Sequence, residues 1–287
     1  MAVQRGQIWQ LGRHRLMCGD ATSRDDVEAL LDGVTADLTL TDPPYGINVI
    51  NPGGGTIGAA GSLGRGEGLN RQKTPQQTNS GTIGGIAKNK AALELLGKGY
   101  SEHEYIREYA PVIGDENTEA AALNYKLVEE FSDNQVIFGG NHFTDFLPPS
   151  RGWLVWDKQN GRHNNFSDGE LAWTSFDKIL RIYEWRWSGM IRKGSRDLEL
   201  KERIHPTQKP VGLLREILND YSEENAVVLD CFAGSGSTLI ACEASNRTCY
   251  AMELSLDYCE KIIERWETLT GEKASLVSLL SQGNSLS

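Results

Sequence analysis

The sequence predicts an α/β protein with a mostly parallel central sheet and helices on both of its faces. This prediction rests on residues 227–253, where a short apolar run ends in Asp230 and a second run ends in Glu253. Between these runs lie a glycine-rich turn and a helical pattern. A strand, a glycine-rich turn, a helix and a second strand form the front of a nucleotide-binding βαβ unit. A length of 287 residues suits one large α/β domain with insertions.

Hydrophobic periodicity predicts the other elements in chain order. Short strands are expected within residues 7–19, and a helix over residues 23–31 has Ser23 as its N-cap. Further strands are expected at residues 37–41, 135–138, 153–156 and 168–173. Further helices are expected at residues 101–109, 116–131, 213–218, 239–244 and 256–269. The Ser/Leu-rich tail after Lys273 is expected to be loose.

The motif Asp42-Pro43-Pro44-Tyr45 follows the apolar run at residues 38–40. It places a carboxylate, two prolines and an aromatic ring at the carboxyl end of a strand, where open α/β sheets bind ligands. Proline fixes φ and lacks an N–H, so nearby carbonyls are expected to accept hydrogen bonds from a ligand. The ring of Tyr45 offers a flat face for a base. The motif therefore predicts a grip on a planar exocyclic amine, although the same residues are also compatible with a simple turn.

The glycine-rich turn predicts a second binding element. It runs through Phe232, Ala233, Gly234, Ser235, Gly236 and Ser237. Glycine lets the backbone approach a ligand closely, and the following helix start offers unpaired N–H groups. Glu253 lies 17 residues after Gly236, close to the spacing of about 20 expected for an acid that binds ribose hydroxyls. If Asp20, Asp42, Asp230 and Glu253 each follow a parallel strand, their carboxylates gather along one edge of the sheet.

Taken together, these motifs resemble those of the amino-group DNA methyltransferases in their β arrangement. In that arrangement the Asp-Pro-Pro-Tyr motif precedes the Phe-x-Gly-x-Gly turn, as it does here. Three further segments are similar to the family: residues 18–21, residues 152–158 and the His-Pro-Thr-Gln-Lys-Pro run that begins at His205. The resemblance extends from about Ile8 to about Trp266. It implies a Rossmann-like, S-adenosylmethionine-dependent methyltransferase fold.

The resemblance also implies roles for individual residues. Asp42, Pro43, Pro44 and Tyr45 would be catalytic, with Asp42 and the Pro43 carbonyl accepting from the amino group of a flipped-out base. The resemblance also implies that Asp42 contacts the cofactor. The turn from Phe232 to Ser237 and Asp230 would hold the methionine part of the cofactor, with His205, Thr207 and Lys209 beside it and Lys209 near its carboxylate. Glu253 would bind the ribose and Asp20 the adenine.

The methylated amine is expected to be N6 of adenine, because Asp42 stands where the cytosine-N4 enzymes more often have Ser. Cytosine-N4 stays open as the alternative. An RNA or protein amine methyltransferase, a non-catalytic DNA-binding relative and a nucleotide-dependent oxidoreductase are further alternatives. An oxidoreductase would leave the Asp-Pro-Pro-Tyr motif unexplained. The intact motifs disfavour a non-catalytic relative.

Charge distribution bears on the expected partner, which is double-stranded DNA. The chain has a net charge of −10, which is unusual for a DNA-binding enzyme. Residues 181–215, however, contain nine Lys or Arg and four Asp or Glu, whereas residues 216–270 contain three and eleven. This asymmetry suits a protein that binds DNA with one face, although a solvated charged loop has the same composition. Trp185 and Trp187 in this segment are expected in the core, with an aromatic and basic contact surface as the alternative.

The remaining composition predicts a cytoplasmic protein without a membrane segment or a metal. The sequence has no long apolar run, and its five cysteines show no zinc-binding spacing. The chain is expected to form a single domain, residues 1–287, with a glycine-rich insertion at about 51–90. The family resemblance implies a target-recognition region at about 157–203. The family resemblance leaves open a homodimer and a separate restriction enzyme as partners.

Overall fold

The computed structural model describes residues 2–47, 114–159, 167–188, 191–192, 204–205 and 207–279. All of these residues belong to one compact unit, formed by residues 1–47 and 113–287. The glycine-rich segment at 51–90 and the helix expected at 101–109 lie outside the described residues. The expected target-recognition region, 157–203, is described only in part.

The strands of the described part form one ten-stranded sheet and one short hairpin. The strands are β1 (Gln7–Leu11), β2 (His14–Cys18), β3 (Leu38–Thr41), β4 (Gln135–Phe138), β5 (Leu154–Asp157), β6 (Gly169–Thr174), β7 (Arg181–Glu184), β8 (Trp187–Ser188), β9 (Ile191–Arg192), β10 (Val227–Asp230), β11 (Thr248–Glu253) and β12 (Ser275–Leu279). The large sheet has the order β12-β1-β2-β11-β10-β3-β4-β6-β5-β7, and β8 pairs with β9.

Five α-helices are described in the same part of the chain. They are α1 (Arg24–Leu31), α2 (Glu119–Phe131), α3 (Val211–Tyr221), α4 (Ser237–Glu243) and α5 (Leu256–Thr270). Helix α1 begins as expected, since the Ser23 side chain accepts from the Asp26 N–H. Nothing in the described part of the chain forms a helix long and apolar enough to cross a membrane.

The centre of the sheet is the parallel arrangement that the sequence predicts. Strands β2, β11, β10, β3 and β4 are parallel neighbours in that order. From β3 the chain passes through α2 to β4 on one side, and from β10 it passes through α4 to β11 on the other. The boundary between β10 and β3 is therefore the topological switch point, where a doubly wound sheet opens a crevice at its carboxyl edge. On both flanks the sheet becomes antiparallel, through β1 and β6.

Helices cover both faces of the sheet because its strand residues alternate between two cores. Leu16 and Val228 belong to the core on one face, which α3, α4 and α5 complete. Their chain neighbours Met17 and Leu229 belong to the core on the opposite face, which α1 and α2 complete. This double burial explains why the parallel strands are continuous apolar runs.

The expectation of a loose tail after Lys273 is wrong for residues 275–279. They form β12, which pairs antiparallel with β1 from Gln7 to Gln10. Without β12, β1 would be an edge strand with unpaired backbone groups, and this pairing satisfies them. By contrast, Trp185 and Trp187 are buried in the core as expected.

Candidate active site

The four carboxylates predicted at the sheet edge come from adjacent strands. Glu253 at the end of β11 lies opposite Cys18 at the end of β2, two residues before Asp20. Asp230 at the end of β10 lies opposite Ala251 of β11. On the other side of the switch point, β3 runs into Asp42. The structure thus brings the four strand ends together at one edge.

Glu253 is tied to the glycine-rich turn by backbone hydrogen bonds. The Gly234 N–H donates to its Oε2 atom at 2.8 Å, and the Ser255 N–H donates to Oε1 at 2.8 Å. Burial raises the pKa of Glu253 to about 7, against the opposing effect of these two donors. The carboxylate therefore stands beside the turn that it was predicted to accompany.

Asp230 connects the turn to the strand that carries the Asp-Pro-Pro-Tyr motif. Its Oδ1 atom accepts from the Thr41 hydroxyl at 2.8 Å and from the Phe232 N–H at 3.2 Å. Burial raises the pKa of Asp230 to about 6, although these hydrogen bonds act in the opposite direction. Thr41 immediately precedes Asp42, so one hydrogen bond joins the two motifs across the switch point.

The turn has the glycine-dependent backbone that its sequence predicts. Gly234 and Gly236 have φ values of +53° and +73°, in the left-handed region that side chains disfavour. A Cβ atom on Gly236 would also lie 2.9 Å from Ile262 of α5. From the same helix, the buried Arg265 donates to the Ser235 carbonyl at 2.8 Å. Packing from α5 thus fixes the turn at the start of α4.

The His205 segment lies against this turn. The His205 ring is buried, and a Cβ atom on Gly234 would meet it at 3.5 Å. The Thr207 hydroxyl lies 3.0 Å from His205 Nδ1. Both residues are therefore close to the turn, as the family resemblance implies.

Lys209 is buried beside the Asp-Pro-Pro-Tyr motif. Its Nζ atom lies 2.5 Å from Asp42 Oδ2 and 3.1 Å from Glu170 Oε2, so it bridges two carboxylates. Asp42 Oδ1 accepts a second hydrogen bond from the Tyr45 hydroxyl at 2.5 Å. In this structure Lys209 thus belongs to the Asp42 side of the site.

Burial and charge oppose each other in this cluster. Burial raises the pKa of Asp42 despite the adjacent Lys209 ammonium. Burial alone would lower the pKa of Lys209, but the neighbouring carboxylates Asp42 and Glu170 outweigh it and raise the pKa. Burial likewise opposes the ionisation of Glu170, but Lys209 and Lys158 bring its pKa down to about 2. The Lys209 ammonium therefore opposes the effect of burial on both Asp42 and Glu170.

One face of the Tyr45 ring, which was expected to be available to a base, is covered by another aromatic ring. The His142 ring stacks on it with centroids 5.0 Å apart and an interplanar angle of 11°, and Phe143 meets it edge-on. Gly139, with φ +71°, lies so close that a Cβ atom there would be 2.1 Å from Tyr45 Cε1. The segment that follows β4 therefore packs closely around Tyr45.

Asp20 makes local hydrogen bonds, and its side chain is more exposed than that of Asp42. Its Oδ1 atom accepts from the Thr22 N–H at 2.9 Å and from the Thr22 hydroxyl at 2.7 Å. Its Oδ2 atom lies 3.7 Å from Arg5 Nη2. Asp20 thus caps the loop after β2 at the outer end of the same edge.

Three residues of the site were not predicted from the sequence: His142, Lys158 and Glu170. Glu170 is a polar residue near the start of β6, and Lys158 directly follows β5. Glu170 contacts both Lys158 and Lys209, and these contacts join segments that are distant in sequence. Only a polar residue within a strand pattern signalled Glu170, and nothing in the sequence placed His142 on Tyr45.

A family model described as DNA methylase matches residues 153–265 of this chain. The type II methyltransferase M2.MboI of Moraxella bovis is 28% identical over 118 residues, which cover 41% of this chain and 41% of that protein. The type II methyltransferase M1.MboII of Moraxella bovis is 31% identical over 151 residues, covering 37% of this chain and 58% of that protein. The chain therefore spans less than two thirds of the length of these relatives.

Two solved structures are similar over most of the chain. The complex of M1.HpyAVI with S-adenosylmethionine gives a TM-score of 0.46 at 20% identity, covering 87% of this chain and 98% of that one. The cytosine-N4-specific PvuII DNA methyltransferase gives 0.48 at 13% identity, covering 94% and 98%.

Proposed function

We propose that this chain is an amino-group DNA methyltransferase that methylates N6 of adenine in double-stranded DNA with S-adenosylmethionine as methyl donor. The observation that carries this proposal is the hydrogen bond from the Thr41 hydroxyl to Asp230 across the switch point. It sets the amine-binding motif directly beside the strand that leads into the cofactor-type turn.

The residues around the turn fit S-adenosylmethionine. Glu253 accepts from two backbone N–H groups, and a carboxylate can accept about four hydrogen bonds, so it retains capacity for ribose hydroxyls. Gly234 and Gly236 permit the left-handed backbone that shapes the turn. Asp230 and the turn from Phe232 to Ser237 would hold the methionine part. When bound, the cofactor supplies an electrophilic methyl group on a sulfonium centre.

Asp42 would prepare the amino group. The lone pair of an aryl amine is delocalised into the ring, so the nitrogen is a poor nucleophile until its hydrogens are held by acceptors. The ionised Asp42 side chain and the Pro43 carbonyl would accept these hydrogens and favour a pyramidal nitrogen. Asp42 and the Pro43 carbonyl would also orient the nitrogen toward the methyl donor, which would supply roughly several kcal/mol of the acceleration without a covalent enzyme intermediate.

The target base would have to leave the duplex. Asp42 lies in a buried cluster whose side chains are between 8% and 23% exposed, too enclosed for a stacked base pair to enter. Extrusion of the base would place its amino group at Asp42. Stacking of the base on the face of Tyr45 that the His142 ring covers would require that ring to move.

The proposal is tested by transfer of labelled methyl from S-adenosylmethionine to unmethylated genomic DNA, followed by nucleoside analysis. We expect label in N6-methyladenine and none with a variant that lacks the Asp42 carboxylate. Label in N4-methylcytosine would retain the transfer chemistry and overturn the choice of base. Label that enters RNA or protein but not DNA would overturn the substrate class.

A further inference from the structure

A cluster of four charged residues surrounds the proposed amine site. Lys209 Nζ lies between Asp42 Oδ2 and Glu170 Oε2, and Lys158 Nζ contacts Glu170 Oε1 at 2.7 Å. The Lys158 ammonium also lies over the Trp156 ring, 5.0 Å from its centroid. Two cations and two carboxylates therefore alternate in a chain from β5 through β6 to the motif after β3.

The position of Glu170 is fixed by the sheet. Glu170 pairs with Trp156 across the antiparallel β5–β6 ladder, next to the end of β5 from which Lys158 extends. The Glu170 Oε2 atom is buried, and its described partner is the Lys209 ammonium at 3.1 Å. Glu170 is therefore held where it competes with Asp42 for one ammonium group.

This competition matters because Asp42 has two tasks. It must be ionised, which a nearby cation favours, and it must keep lone pairs for the substrate amine, which a tightly bound cation occupies. Lys209 pulled entirely onto Asp42 would satisfy the first requirement and obstruct the second. An ammonium shared with a second carboxylate satisfies both.

We propose that Glu170 is a positioning residue for methyl transfer: it shares the Lys209 ammonium with Asp42, so that Lys209 favours the ionised form of Asp42 while Asp42 stays able to accept from the substrate amine. Lys158 partly neutralises Glu170 and so sets how strongly Glu170 attracts the Lys209 ammonium. This inference rests on the proposed function, and it assigns Lys209 to the amine side of the site instead of to the cofactor carboxylate.

The charged and titratable groups that face Asp42 come from several elements, and each of them contributes to its ionisation. They are Lys209 before α3, Glu170 on β6, Tyr45 after β3 and Asp230 at the end of β10, with Lys158 acting through Glu170. Changes at Glu170 and Lys158 should therefore shift the ionisation of Asp42 in opposite directions. Loss of the Glu170 charge removes a repulsion, and loss of the Lys158 charge increases it.

The experiment compares Glu170→Gln and Lys158→Met with the wild-type chain in methyl transfer to DNA as a function of pH. For Glu170→Gln we expect a kcat about tenfold lower, with the acidic limb of the kcat profile moved to lower pH. For Lys158→Met we expect the acidic limb to move to higher pH. The Kd of S-adenosylhomocysteine should stay within about twofold for both variants.

Glu184→Gln is the matched control, since Glu184 is an exposed carboxylate at the same end of the neighbouring strand β7, and it should behave as wild type. If Glu170→Gln fails to fold, as judged by its melting temperature, the Lys158→Met profile decides alone. Unshifted limbs, or shifts in the same direction, would overturn the role of Glu170 while wild-type transfer still supports the proposed function. Absence of label with the wild-type chain would overturn the proposed function, and the role of Glu170 with it.

Discussion

Asp42 and Lys209 form a buried ion pair, with Nζ and Oδ2 2.5 Å apart, although 167 residues separate them in the sequence. The pair joins the end of β3 to the segment before α3, on either side of the site. Its consequence is chemical: the proposed amine acceptor has a cation as its neighbour before any substrate arrives. A buried carboxylate without such a neighbour would take up a proton and lose its capacity to accept.

Replacing Asp42 by Asn should abolish most of the transfer while sparing the cofactor. The amide keeps the shape of the side chain but removes the negative charge and one acceptor. We expect kcat to fall by about 10²–10⁴-fold, the range for removing a proton-accepting group from the transition state. Single-turnover transfer of labelled methyl to DNA measures this loss, and equilibrium binding of S-adenosylhomocysteine measures the cofactor site.

Asp145→Asn is the matched control because Asp145 is an exposed aspartate in the segment after β4. It should transfer methyl at the wild-type rate. Near-normal turnover by Asp42→Asn would show that another group accepts the amino hydrogens.

The carboxyl edge of the sheet could be predicted from the sequence because the residues that define it lie within or directly after single strands. Each acid follows its own apolar strand, and parallel neighbours place their carboxyl ends on one side, so Asp230 and Glu253 could be assigned to one edge before their contacts were known. The positive φ of Gly234 and Gly236 follows from the same local logic. The loose tail was wrongly expected because only the tertiary fold reveals that β1 needs a partner.

The contacts of Lys209, Glu170 and His142 could not be predicted in the same way. They depend on the antiparallel insertion of β6 between β4 and β5, which no single segment encodes. Packing places the Lys209 ammonium between two carboxylates, a contact that the family resemblance did not include. Pairings of this kind arise from the fold as a whole.

Removing the His142 ring should make the target base easier to accommodate. His142 is exposed and stacks on Tyr45, so an incoming base must give up part of its stacking energy to displace it. An aromatic pair contributes about 0.5–1.5 kcal/mol, which predicts a KM for DNA about two- to tenfold lower in His142→Ala. The fluorescence of 2-aminopurine at the target position should rise in parallel, since that probe brightens when it is unstacked.

Asn141→Ala changes the exposed neighbouring residue and should leave both readouts unchanged. A higher KM for His142→Ala would instead mean that the imidazole stays in contact with the base after it enters.

A side chain at Gly139 should displace Tyr45 and damage transfer. A Cβ atom there would lie 2.1 Å from Tyr45 Cε1, so the ring, its hydroxyl and the bonded Asp42 carboxylate must shift. A displacement of about 1 Å in such a site lowers the rate about 100-fold, and we expect a loss of this size in kcat for Gly139→Ala. Steady-state methyl transfer measures it.

Gly33→Ala separates this steric effect from backbone strain. Gly33 has a similar φ of +80°, but a Cβ atom there would meet nothing within 4 Å. Both variants should lose about 1–2 kcal/mol of folding stability through the left-handed backbone, and only Gly139→Ala should lose activity. Equal activity in the two variants would contradict the proposed dependence of catalysis on the Tyr45 position.

Cofactor affinity should rise with pH because Glu253 must be ionised to accept from ribose hydroxyls. Burial raises its pKa to about 7, so the carboxyl is largely protonated below that pH and largely ionised above it. The affinity should therefore fall by up to about tenfold for each pH unit below 7 and level off above it. Calorimetric titration with S-adenosylhomocysteine between pH 5.5 and 8.5 measures this dependence.

Glu253→Gln should bind more weakly at pH 8 and lose most of the slope, whereas the exposed Glu264→Gln on α5 should keep the wild-type curve. A wild-type affinity that is flat across pH 7 would place the ribose hydroxyls on a different acceptor.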